Sequence, residues 1–404
     1  MKRMRAAPVW LVCLAIGAAL AGAATPPAPL HVISLDIQGG SVWLPVRVNG
    51  SGPLRFLLDS GASRSVLDRQ TAESLGLQII DGGQQVVGSA EAAVRAGVTP
   101  NVAFEVGGAR WTAHAGVVPL DVPSSSIGRR YDGVLGYDFL SAFVVEVDYQ
   151  AGRMSLYDPE PYQYAGKGHV LPIRLDQNAP YARMKIGVPG REAIETDLMI
   201  DSGGPGMTVL AAPFVLRHGL IDAARELTPN LVEHPGVGVG GTNRRLVGRL
   251  PFLEIGPYRL ERPIAGFSQA ASGAYSRTDI AGTIGGSTLK RFTVIYDYRR
   301  QRVILEPNSH YPDPPEQYDM SGLLLRARGK DLREFFVYKV MANSPSAEAG
   351  IEAGDVLVAI DGKPLDCELS QIGQMLKTAG AKRKVLIERA GQRREFQLAL
   401  RTLL

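Results

Sequence analysis

Cysteine is nearly missing from this chain of 404 residues, which has only Cys13 and Cys367. Cys13 falls in an apolar leading stretch, and in Leu11-Val12-Cys13 no small residue precedes it to suggest lipid attachment. Cys367 then has no partner in the chain, which excludes an intrachain disulfide framework and leaves stability to buried apolar cores. Nothing around this lone thiol marks it as a nucleophile. Histidine is sparse too. His31, His114, His169, His218, His234 and His310 stand far apart without metal-site spacing, so neither a metal nor a cofactor is expected. No phosphate loop or dinucleotide fingerprint occurs, and no serine sits in a nucleophile elbow. The formal net charge is +4, and without Lys2, Arg3 and Arg5 it is +1. Such a balance gives no basis for a nucleic-acid partner.

Long hydrophobic runs are also lacking. The longest, residues 9–21, is too short for a comfortable membrane span. It follows the basic Lys2, Arg3 and Arg5 and ends at Ala21-Gly22-Ala23, a small-residue cleavage pattern. Together these predict a signal peptide over residues 1–23 and an exported protein, periplasmic or secreted. The competing reading is a retained N-terminal anchor.

Glycine and proline are plentiful, at 46 and 27 residues, and predict many turns between short strands. One turn is written twice. The first copy is Leu57-Leu58-Asp59-Ser60-Gly61-Ala62, followed by Val66-Leu67. The second is Met199-Ile200-Asp201-Ser202-Gly203-Gly204-Pro205-Gly206, followed by Val209-Leu210. A second signal repeats in the same order: Gly133-Val134-Leu135-Gly136, then Gly282-Thr283-Ile284-Gly285. The aspartates are 142 positions apart and the Gly-x-x-Gly runs 149 apart. Ordered signals at near-equal offsets read as a duplicated unit.

The duplication sets the organisation. Residues 30–158 and 166–306 form two β-rich lobes, with short helices expected at 68–75 and near 213–220. Residues 307–320 hold Pro307, Pro312, Pro314 and Pro315 and read as a linker or stiff strap. Residues 321–404 alternate strands and helices and form a third unit. In it, Ser344-Pro345 and Gly350 bracket a short helix. A longer amphipathic helix is expected over 368–379, closed by Gly380.

An aspartate on a glycine turn between buried strands is costly unless the site uses it. Two carboxylates brought within about 3 Å cannot easily both ionise, so they share a proton. One then serves as general base toward water while the other polarises a carbonyl, the combination that amide hydrolysis needs. Gly61 and Gly203 admit close backbone approach, and Ser60 and Ser202 can hydrogen-bond across the two loops. The plainer reading makes each copy an Asx-type turn.

On these residues the chain resembles the retropepsin/pepsin-like aspartic proteases over roughly residues 30–306. The resemblance implies a mainly β, bilobal pair of acid-protease barrels within one chain. It implies Asp59 and Asp201 as the catalytic dyad, with Gly136 and Gly285 ending the apolar motifs behind each loop. The expected partner is a peptide or unfolded protein. Ala62 and Gly204 stand where pepsin-like enzymes carry a hydroxyl that bonds the active aspartate, and Thr283 replaces an apolar residue. The missing hydroxyl predicts a shared proton held more tightly and a working pH above that of pepsin-like enzymes. Flap candidates are Val87-Gly88-Ser89 and residues 236–241, neither with a flap tyrosine. That lack, and Gly204-Pro205-Gly206, leave open a second reading: a peptide-binding protein that keeps the fold without turnover. Pairing of two chains to form the site is a weaker reading, since one chain supplies both aspartates and a monomer suffices.

The stretch from Ser344-Pro345-Ser346-Ala347 through Ala349-Gly350-Ile351 and Gly354-Asp355-Val356-Leu357 to Asp361-Gly362 resembles bacterial PDZ domains. The resemblance implies an α+β unit that binds a peptide as an added strand. The groove is expected between residues 335–340 and the helix at 368–377, with Leu332, Arg333, Phe335, Phe336, Val337, Ile372 and Met375 at the peptide. The loop 329–333 is the expected holder of a terminal carboxylate. Ile372, Met375 and Leu376 also fit plain core positions.

Overall fold

The computed structural model describes residues 28–404, apart from Gln84, Val87 and Pro205; the expected signal peptide lies outside the described residues. The chain is mainly β. Each half is built around the repeated turn. In the first, strand Leu54–Leu58 leads into Asp59, strand Val66–Asp68 leaves it, and helix Arg69–Ser74 follows. Asp68 caps that helix, its carboxylate accepting from the Thr71 N–H. In the second half, Ile194–Ile200, Asp201, Thr208–Leu210 and helix Ala212–Arg217 repeat the order. That helix stops at Gly219, whose φ of +58° turns the chain into a separate helix, Leu220–Leu227.

The Gly-x-x-Gly strands insert between the two arms of each turn. Gly133–Leu135 runs parallel to Leu54–Leu58 and antiparallel to Val66–Asp68. Gly282–Ile284 stands likewise between Ile194–Ile200 and Thr208–Leu210. Such strands have no solvent face, which is why they read as continuous apolar runs. Gly136 is there for space: a Cβ would overlap the Arg64 carbonyl.

Past these motifs the halves join. Val144–Asp148 pairs antiparallel with Phe292–Asp297, matching Val145 to Tyr296 and Val147 to Val294. Val145 and Val294 hold equivalent places in the two repeats, so the register is centred on a pseudo-two-fold axis. Arg153–Tyr157, Arg302–Pro307, His31–Ser34 and His169–Asp176 extend this into one sheet beneath both halves. Its burial locks the two turns into a fixed relation.

The proline-rich segment is a strap. The buried Arg291 guanidinium donates to the carbonyls of His310, Tyr311 and Asp313 at 2.8–3.1 Å and of Pro314 at 3.2 Å. Arg291→Ala strands these acceptors and is expected to cost about 2–4 kcal/mol, read from the urea midpoint at unchanged m-value. An unchanged midpoint would show the strap to be incidental.

The C-terminal unit has its own core around Leu323, Phe335, Val337, Leu357, Ile372, Val385 and Leu398. Its strands lie in the order Leu323–Arg328, Glu334–Val340, Val356–Ile360, Lys382–Arg389, Gln392–Ala399. Ser344 caps helix Pro345–Ala349 and Gly350 ends it at φ +83°. The longer helix is shorter than expected, Leu369–Met375, because the chain already turns at Leu376 toward Gly380 at φ +75°.

This topology corrects the expected peptide groove. Glu334–Val340 is an interior strand, paired with Leu323–Arg328 along its whole length on one side and with Val356–Ile360 on the other. It has no free edge for an added strand. Phe335, Val337 and Ile372 are core residues. Phe336 is held between both neighbours, Arg333 donates to the Cys367 carbonyl, and Leu332 packs against the core. Met375 and Arg333 are the exposed members of the set. The edge strands of the sheet are Gln392–Ala399 and Leu323–Arg328, and on the latter pack both helix Leu369–Met375 and helix Asp121–Ile127 of the first half.

Candidate active site

Each Asp-Ser-Gly turn hangs from its inserted strand. The Asp59 N–H donates to the Leu135 carbonyl at 2.9 Å and the Asp201 N–H to Ile284 at 3.0 Å. The two turns then grip each other. Ser60 Oγ donates to the Ile200 carbonyl at 2.7 Å and Ser202 Oγ to Leu58 at 3.0 Å. Each hydroxyl also accepts the other loop's N–H, at 3.0 and 2.9 Å. Four bonds in a buried, water-poor place fix the spacing of the aspartates with little freedom. Tyr296 from the shared sheet is buried against the two serines.

The carboxylates meet between the loops. Gly61 N–H donates to Asp59 Oδ1 at 2.8 Å. A Cβ on Gly61 would lie 3.0 Å from Asp201 Cγ, while one on Gly203 would overlap Asp59 and one on Gly204 would overlap Asp201. None of these three glycines has positive φ, so they are required for space and not for an unusual torsion. At Gly204 no hydroxyl-bearing side chain fits this geometry. Burial pushes the Asp201 carboxyl well above the carboxylate range, and the Asp59 charge adds to the rise. Burial also raises Asp59, against the hydrogen bonds from Asp201, Gly61 and Ala62. Both carboxyls are raised, so the pair holds one shared proton, and Asp59 is the more exposed member. Asp201 Oδ1 has no hydrogen-bond partner among the described residues.

Gly88 and Ser89 of the first flap candidate meet the second hairpin: a Cβ on Gly88 would overlap the Val239 carbonyl. Asn243 donates to the Ser89 carbonyl at 2.6 Å, and the Glu91 N–H donates to Thr242 at 3.1 Å. Val239, at the tip of hairpin Gly236–Gly238/Gly241–Asn243, packs on a wall of Trp43, Leu57, Leu120, Tyr131 and Val134. Tyr131 stands edge-on to Trp43 and near Asp59, whose charge, after burial, helps raise the phenol. Tyr275 stands on the Asp201 side, its hydroxyl 3.2 Å from Thr283 Oγ1. Neither tyrosine was found in the sequence, because no local pattern announces a ring delivered from a loop, as Tyr131 is, or from a single 3-10 turn, as Tyr275 is.

The C-terminal unit is docked on the first half through its edge strand Leu323–Arg328, which helix Asp121–Ile127 covers. Ser125 Oγ donates to the Ala327 carbonyl at 2.6 Å. Buried Arg129 donates to both oxygens of Glu368 at 2.8 Å and also pairs with Asp36.

Comparison with known proteins agrees with this division. A family profile described as aspartyl protease matches residues 44–139, which hold the first Asp-Ser-Gly and the first Gly-x-x-Gly. A PDZ domain profile matches residues 336–389. A curated relative, a probable periplasmic serine endoprotease DegP-like of Pseudomonas fulva (strain 12-X), is 31% identical over 93 residues, 20% of this chain and 19% of that protein. The chain thus spans about a fifth of the length of this relative. A solved structure of a photosystem II D1 C-terminal processing protease matches at 25% identity and a TM-score of 0.20, covering 21% of this chain and 23% of that one.

Proposed function

Because the chain carries an aspartyl protease domain and a C-terminal PDZ domain, we propose that it is an exported aspartic endopeptidase using Asp59 and Asp201 as one intrachain dyad. The observation that carries this is the buried carboxylate pair, gripped from both sides by Ser60 and Ser202. Water held between the carboxylates gives a proton to Asp59, and its oxygen bonds to the scissile carbonyl carbon. Asp201 passes its proton to the carbonyl oxygen. The resulting diol collapses as the amide nitrogen takes up a proton and the C–N bond breaks. Export rests on the N-terminal basic and apolar run, and the DegP-like relative is described as periplasmic.

A serine mechanism has no support in the side chains: among the described residues no serine hydroxyl bonds a histidine ring. Ser60 and Ser202 are already committed to carbonyls. A PDZ peptide ligand could add to the edge of Leu323–Arg328 only once that edge parts from the first half, which covers it through helix Asp121–Ile127 and the Ser125 and Arg129 contacts. The interlocked hairpins favour one second reading, a peptide-binding protein without turnover.

Cleavage of an unfolded protein across pH 3–8 tests the proposal. Activity needs one proton on the pair. The acid limb marks the second protonation of the pair, and the alkaline limb marks loss of its one shared proton. Both groups are raised, so the bell is displaced upward from the ordinary carboxylate value of 3.8. A maximum near pH 2 would contradict this, and no cleavage at any pH would favour the binding reading.

A further inference from the structure

The two halves can be aligned strand by strand. Leu67 pairs with Val117, which pairs with Gly97; Leu210 pairs with Phe267, which pairs with Leu246. Gly97 and Leu246 are therefore equivalent, and so are the residues before them, Ala96 and Arg245. Ala96 packs with the apolar wall of Trp43, Leu120 and Tyr131 on the Asp59 side. On the Asp201 side the same position carries a guanidinium.

Arg245 is 5% exposed. Its Nε donates to the His234 carbonyl at 3.0 Å, and its terminal nitrogens make no hydrogen bond among the described residues. No Asp or Glu of the described residues pairs with it, although most buried or half-buried arginines here, such as Arg129 and Arg291, are well partnered. Its neighbours are Tyr275, Tyr318, His234, Met207 and Gly266. None supplies a negative charge. His234, bonded to the Tyr318 hydroxyl, is itself held neutral, its value lowered to about 3 by burial and then by Arg245. Tyr275 connects this place to the dyad: its hydroxyl meets Thr283, next to Ile284, whose carbonyl holds the Asp201 turn.

A buried cation without a counter-charge is expensive to keep. A guanidinium fork matches a carboxylate in two parallel hydrogen bonds. We propose that Arg245 is the specificity-determining residue on the Asp201 side of the cleft, receiving a carboxylate of the peptide substrate. The Arg245 side takes an acidic side chain or the substrate's own C-terminus. The inference rests on the proteolytic reading above.

The test uses the chain lacking residues 1–23 and one cleavable peptide made in matched forms. Glu is placed at each position on either side of the scissile bond, against Gln at the same position. Each form is made with a free and with an amidated C-terminus. The parent is expected to cleave one Glu form about 10- to 100-fold better in kcat/KM than its Gln partner. Preference surviving amidation assigns an acidic side chain; preference confined to free termini assigns the terminal carboxylate. Arg245→Met is expected to bring the ratio to near 1, and Arg245→Lys to an intermediate value. A parent with no carboxylate preference overturns the proposal. So does a ratio unmoved in both variants, since a structural role lowers both rates together. If the parent cleaves no peptide, the endopeptidase reading fails separately. Binding of the same fluorescent peptides, measured by anisotropy, then supplies the Glu-to-Gln ratio, and the same criteria hold.

Discussion

Asp59→Asn and Asp201→Asn are each expected to lower kcat/KM on an unfolded protein by about 10³-fold or more. An amide at residue 59 cannot take a proton from water, and an amide at 201 cannot hand one to the carbonyl oxygen. The pair acts as a unit, so the double variant is expected to be no worse than either single one. Stability moves the other way. A group whose folded value is raised contributes stability that is full below its unfolded value and is lost as pH rises through the folded one. Both carboxyls are raised, chiefly by burial, so the ionised dyad weakens the fold at neutral and alkaline pH. Asp201→Asn is therefore expected to raise Tm at pH 7–8 by several degrees, with the gain shrinking as pH falls below 4. Thermal unfolding across pH reads this directly. Full activity in either single variant would end the dyad proposal. A Tm gain independent of pH would sink the linkage argument.

Gly203→Ala is the second change expected to have a large effect. Its Cβ would overlap the Asp59 carboxylate, and the same change at Gly204 would overlap Asp201. The loops cannot retreat, because Ser60 and Ser202 tie them to Ile200 and Leu58. The carboxylates must move instead, and a displacement near 1 Å costs about 10²-fold in rate. Gly61→Ala is the control, since its Cβ would lie 3.0 Å from Asp201 and a shift of a few tenths of an ångström relieves it. The expected order of kcat/KM is parent, then Gly61→Ala, then the two others. Circular dichroism and Tm separate misplaced carboxylates from a failed fold. Equal rates in all three variants would show that the loops are softer than their hydrogen bonds imply.

Much of this protein was legible along the chain. The two turns, their apolar arms and the Gly-x-x-Gly strands are local patterns, and their near-equal offsets announce a repeat before any contact is known. The cap Ser344, the proline after it and the stop at Gly350 are equally local, because a helix end is closed by residues within a turn of it. Strand order is a different kind of quantity. Glu334–Val340 is the strand expected to line the peptide groove, yet Leu323–Arg328 pairs along it, and that covering strand is itself covered by helix Asp121–Ile127 of the first half. Burial of charge is likewise unreadable in one dimension: Arg245 and Arg244 are adjacent, and only the first is enclosed. The meeting of Ser89 and Asn243 spans 154 positions and follows from how two hairpins fold over a shared sheet. Sequence by itself determined which residues turn, cap and repeat, since those depend on neighbours a few positions away. Tertiary structure decided which strands lie at an edge and what covers them, how the two carboxylates are buried and which cation stands alone, since desolvation and Coulomb terms depend on distance through space.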